Sequence, residues 1–76
     1  MTYSMIINRQ HSDPSYVNDI KAWTEVIEYL RNKLDQWVTS VQIYKFSSNG
    51  RCLGEKCVMM GNLWDVANSS SDKILL

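Results

Sequence analysis

Between Asp13 and Val38 the apolar residues Ile20, Trp23, Ile27, Leu30, Leu34 and Trp37 recur at alternating steps of three and four. That is the spacing of one face of an α-helix. Val17 extends the stripe toward the N-terminus, and Val26 and Val38 widen it. The opposite side carries Lys21, Glu25, Glu28, Arg31 and Asp35. Asp13 suits an N-cap, and Pro14 suits the first helical position, where a missing N–H costs nothing. The pattern predicts one long amphipathic helix over residues 13–38, around which the chain is organised.

Period-two alternation predicts strands on either side of that helix. Tyr3, Met5 and Ile7 alternate with Ser4, Ile6 and Asn8, giving one apolar face and one mixed face. Residues 41–46 and 51–60 read as a second and a third strand, with Gly54 interrupting the latter. Asn49-Gly50 between them is a hairpin signal. A two-residue turn there sets Phe46 against Leu53, Tyr44 against Glu55 and Val41 against Val58. In that register Val41 and Ile43 share one face while Tyr44 and Phe46 share the other. A β-bulge near Lys45 or Gly54 reconciles the pattern, as does a three-residue loop with Gly50 left-handed. Residues 61–67 fit a short helix or a last strand, and residues 69–76 read as a flexible C-terminal tail. The expected fold is therefore α+β. It is a small single domain over residues 1–68, β-α-β-β, with the long helix packed on a three-stranded sheet. The helix would serve as a parallel crossover between the first two strands.

With 76 residues, the chain has room for one domain. A domain of this size buries only about 60% of the surface its unfolded chain exposes. Eight basic and eight acidic residues cancel. Nucleic acid is thus a disfavoured partner, because phosphate neutralisation usually needs a basic excess. The N-terminal run lacks a basic leader, and nothing approaches the roughly 20 apolar residues of a membrane span. The expectation is a cytoplasmic protein with no membrane partner.

Candidate chemistry is sparse. Cys52 and Cys57 form a single C-x4-C pair, and a structural zinc site normally needs two close pairs. In a regular strand these two would also point to opposite faces. His11 is the only histidine, and its sequence neighbours Ser12 and Asp13 do not make a catalytic constellation. Glu25 and Glu28 each have a basic residue within one turn, which fits a solvated helix face. Phosphate loop, nucleophile elbow and H-E-x-x-H motifs are missing. No catalytic residue, metal site or cofactor is expected.

What stands out is the amount of large apolar surface. Trp23, Trp37, Tyr16, Tyr29, Tyr44, Met59, Met60 and Trp64 are too many for one helix on three strands to bury. Exposed Trp, Tyr and Met are enriched at binding surfaces. The leading expectation is a non-catalytic protein-binding module, a small inhibitor or adaptor, with Tyr29, Tyr44, Arg51 and Trp64 meeting another protein. Proteins of this kind are common among phage-encoded inhibitors of host enzymes or defence complexes, which act in the host cytoplasm. A nucleic-acid-binding domain using the hairpin face and a homodimeric structural protein are the alternatives.

Overall fold

The computed structural model describes residues 1–69 and 71–75. Strands β1 (Thr2–Arg9) and β2 (Ser12–Ile20) lead into helix α1 (Trp23–Asn32). Strands β3 (Val38–Phe46) and β4 (Cys52–Met59) follow, then a 3-10 turn (Met60–Asn62), helix α2 (Leu63–Ala67) and a final 3-10 turn (Asp72–Leu75). The strands form one antiparallel sheet in the order β2-β1-β3-β4. Both helices pack on the face carrying Tyr3, Met5, Ile7, Val41 and Ile43.

The domain is α+β as expected, but the long helix and the three-stranded sheet are not what forms. Residues 12–20 are a strand, and only Trp23–Asn32 is helical. The cause is visible in the register. Tyr3 pairs with Ile20 and Met5 with Val17, so β2 advances three residues where β1 advances two. The same happens between Ile7↔Ser15 and Arg9↔Ser12. Each extra residue is a β-bulge. The first contains Asp19, held at φ 60°. It lets Val17 and Ile20, three apart, both turn toward the core, so a bulged strand reproduces helical spacing. Pro14 lies within the second irregularity, on an edge strand where its missing N–H interrupts no ladder bond.

Nor is Asp13 a helix cap. The N-cap is Ala22 in extended backbone without a side-chain cap bond, and the Glu25 carboxylate instead accepts the Lys21 N–H at 3.2 Å. After Asn32 the Lys33 N–H still bonds the Tyr29 carbonyl at 3.0 Å. Asp35 then accepts the Trp37 N–H at 2.9 Å and Arg9 Nε at 2.7 Å, which turns the chain into β3. Because β2 reverses the chain before α1, β3 runs antiparallel to its neighbour β1 rather than parallel. The crossover joins β2 to β3, with β1 between them.

In the β3–β4 hairpin Val41 faces Val58 and Tyr44 faces Glu55, as the sequence pattern implies. Phe46, however, pairs with Cys52 and not with Leu53 as the two-residue turn required, because Lys45 pairs with Gly54 and Leu53 is left as a bulge residue. The loop is the three-residue form. Ser47 N–H bonds the Arg51 carbonyl at 2.8 Å, Gly50 N–H bonds the Ser47 carbonyl at 3.0 Å, and Gly50 sits at φ 87°.

The C-terminal segment closes the core. Within the stretch expected to be a flexible tail, Asp72–Leu75 form a turn and Leu75 is only 2% exposed; Ser70 and Leu76 lie outside the described residues. Burial of Leu75, together with the bonds that Asp72 makes, opposes the entropy cost of ordering the turn. A Cβ on Gly54 would stand 2.7 Å from the Leu75 carbonyl oxygen, so a glycine permits this approach. Asp72 accepts from the Tyr3 hydroxyl at 2.5 Å and pairs with Lys45 Nζ at 2.6 Å. Trp23 Nε1 donates to the Ser69 carbonyl at 3.3 Å. Among the described residues no helix is long and apolar enough to cross a membrane.

Candidate interaction surfaces

Two surfaces with exposed large apolar side chains stand out among the described residues. The first is built on α2, a helix too short to persist alone. Leu63, Val66 and Ala67 bury its inner side, so Trp64 projects outward and is 71% exposed. Arg31 of α1 holds the far end of α2. Its Nε donates to the Ala67 carbonyl at 3.0 Å, and its Nη2 donates to Asn68 Oδ1 at 3.0 Å. The guanidinium thus satisfies a carbonyl the helix end leaves free. Between the helices lies a groove of about 570 Å³. Leu30, Leu63 and Ala67 form its buried floor, and Met60, Trp64 and Arg31 stand on its exposed sides.

The second surface is the sheet face turned away from the helices. Tyr44 and Phe46 stack there with ring centroids 6.3 Å apart and planes inclined by 21°. Tyr16 stands opposite Ile6 and is 66% exposed, and Met59 on β4 is 56% exposed. Apart from Glu55, its paired polar positions are uncharged, and some bond one another, as where Asn8 Nδ2 donates to Ser40 Oγ at 3.1 Å. Among the described residues Glu55 supplies the only formal charge at a paired position on this face.

The four residues singled out from the sequence do not converge. Trp64 lines the groove, and Tyr44 lies on the open sheet face. Arg51 is exposed in the hairpin loop, where its backbone N–H bonds Ser47 Oγ and Asn49 Oδ1 at 3.2 Å each. Tyr29 packs half-buried against the core, with Lys33 Nζ 5.4 Å from its ring centroid, and lines a separate hollow with Val17 and Ile20. Tyr16 and Met60 belong to the apolar surplus read from the sequence but are not among the four residues singled out there, because that reading places Tyr16 on a helix and Met60 at the end of the third strand. Trp37 is 54% exposed beside the Gln10–Ser12 hairpin rather than part of a buried stripe.

The cysteines also differ from expectation. Cys52 pairs with Phe46 and Cys57 with Gln42, so the bulge at Leu53 places both on the same side of the sheet. Four strand positions separate them, roughly 13 Å at strand rise, too far for a disulfide. Three groups in structural contacts have shifted ionisation. Burial, then the bond to Asp72, raises Tyr3 to about 12. Bonds from Lys45 and Tyr3 hold Asp72 below the usual carboxylate range. Arg9 lowers Asp35 in the same way. No protein-family model, curated protein or solved structure matches the chain.

Proposed function

We propose that the chain is a non-catalytic protein-binding module, a small inhibitor or adaptor that engages another protein through the Trp64 groove. The observation that carries this reading is Trp64, a tryptophan left exposed beside a groove with an apolar floor in a chain short of core. Tryptophan offers about 150–250 Å² of rigid contact area, and such residues dominate binding energy when a partner desolvates them. The matching partner presents an aliphatic or aromatic side chain to Leu30, Leu63 and Ala67, from a helix or loop. A host enzyme or defence complex is the target class that suits so small a blocking protein, and the host cytoplasm its place of action.

Nucleic-acid binding by the hairpin face has less support. Of its cations, Lys45 is turned to the helix side and paired with Asp72, and Tyr44 and Phe46 stack on each other. The test is capture of partners from a bacterial extract by wild-type chain and by Trp64→Ala. A protein bound in defined ratio by the first and lost from the second supports the groove. Equal capture by both, or nucleic-acid binding that falls steeply with salt, replaces this reading with another.

A further inference from the structure

We infer that a second copy of this chain packs on the open sheet face, so that the protein forms a symmetric dimer with both Trp64 grooves outward. The sheet edges disfavour pairing with another strand. An exposed edge strand pairs readily with another chain, and bulges, prolines and charges are the usual protection. Edge strand β2 carries both bulges and Pro14, and edge strand β4 carries the Leu53 bulge with Glu55 and Lys56 beside it. Partners are therefore directed to the face rather than the edges.

The face itself suits a copy of itself. Isologous pairing presents the same surface from both chains, so a charge on it finds no opposite charge on the partner unless the surface carries both signs. This face carries Glu55 as its one formal charge at a paired position among the described residues, and β4 is an outer strand, so the carboxylate stays at the rim in water. The central positions hold Ile6 and Tyr44 with uncharged Ser4 and Gln42, Phe46 extends the aromatic surface at the end of β3, and exposed Tyr16 and Met59 flank it. Aromatic and Met enrichment with charge depletion is the composition of an interface core. Four strands at about 4.8 Å spacing and eight residues at about 3.3 Å rise make a face of roughly 500 Å². Two such faces bury at most about 1,000 Å², the lower limit for a specific interface. Two sheets packed this way enclose a layer about 10 Å thick. The dimer is accordingly concentration-dependent rather than obligate. It does not rest on the groove reading.

Light scattering across a wide concentration series tests it. The wild-type mass should rise from the 8.8 kDa of one chain to twice that value. Tyr16→Glu and Met59→Glu alter side chains that contribute little to the monomer core, so each should keep the circular dichroism spectrum and remain at one-chain mass. Trp64→Ala should dimerise like wild type. A wild type that stays at one-chain mass throughout overturns the inference. So does a dimer that survives both charged substitutions, or one that Trp64→Ala dissociates.

Discussion

The Tyr3 hydroxyl donates to the Asp72 carboxylate at 2.5 Å, joining residues 69 positions apart, and Lys45 Nζ reaches the same oxygen at 2.6 Å. This contact ties the first strand, the third strand and the C-terminal turn together. It also makes their attachment sensitive to pH at both extremes. Asp72 is lowered in the folded state, so its contribution is present above the unfolded carboxylate pKa, about 3.9, and is lost as pH falls through the folded value. Tyr3 is raised from 10.0 to about 12, so its contribution is present below the unfolded value and is lost as pH rises between the two. Asp72→Asn should cost about 1 kcal/mol at neutral pH and nothing below the folded Asp72 pKa. Tyr3→Phe should flatten the alkaline loss. Urea unfolding at stepped pH reads both effects.

Gly54 is where the C-terminal turn touches the sheet. A methyl group there meets backbone, the Leu75 carbonyl, which cannot swing aside as a side chain would. Gly54→Ala should therefore destabilise by about 1–3 kcal/mol, the usual cost of overpacking. Hydrogen exchange of the amides in Asp72–Leu75 should accelerate in the variant. Unchanged exchange would show that the turn does not hold its position through this contact.

Asp19 and His11 are the non-glycine residues at positive φ among those described, 60° and 65°. A β-branched residue resists that conformation by about 1–2 kcal/mol, whereas glycine and asparagine accept it. Asp19→Val and His11→Val should lower the thermal midpoint, while Asp19→Gly and His11→Asn should leave it near wild type.

The three tryptophans divide by environment. Trp23 is buried, with its ring 5.7 Å from that of Tyr3, while Trp37 and Trp64 face solvent. Trp23→Ala should cost about 3–5 kcal/mol, a large share of the stability of so small a domain. Trp64→Ala should stay within about 0.5 kcal/mol of wild type, as expected for an exposed side chain. Iodide quenching of folded wild type should reach two of the three emitters, and Trp37→Phe combined with Trp64→Phe should abolish most of it.

Much of this molecule was legible from the chain alone. Strand β1 with its apolar face, the pairing of Val41 with Val58 and Tyr44 with Glu55, and the bulge beside Gly54 follow from period-two alternation and turn chemistry. Those signals are local, carried by neighbours along the chain. The surplus of large apolar side chains was also legible, and Trp64 is exposed. Its companions in the groove were not, because Arg31 and Met60 meet only where α1 packs beside α2.

Residues 12–20 mark the boundary of what a sequence can decide here. Val17 and Ile20 are three apart, which in an isolated stretch is helical spacing. Only pairing with Met5 and Tyr3 reveals that a bulge at Asp19 produces the same spacing in a strand. The number of strands, the antiparallel topology and the open face all depend on that pairing. Local pattern determined which side chains seek the core. Tertiary hydrogen bonding decided which backbone would carry them there, because a three-residue step is compatible with either conformation until a neighbouring strand supplies the missing donors and acceptors.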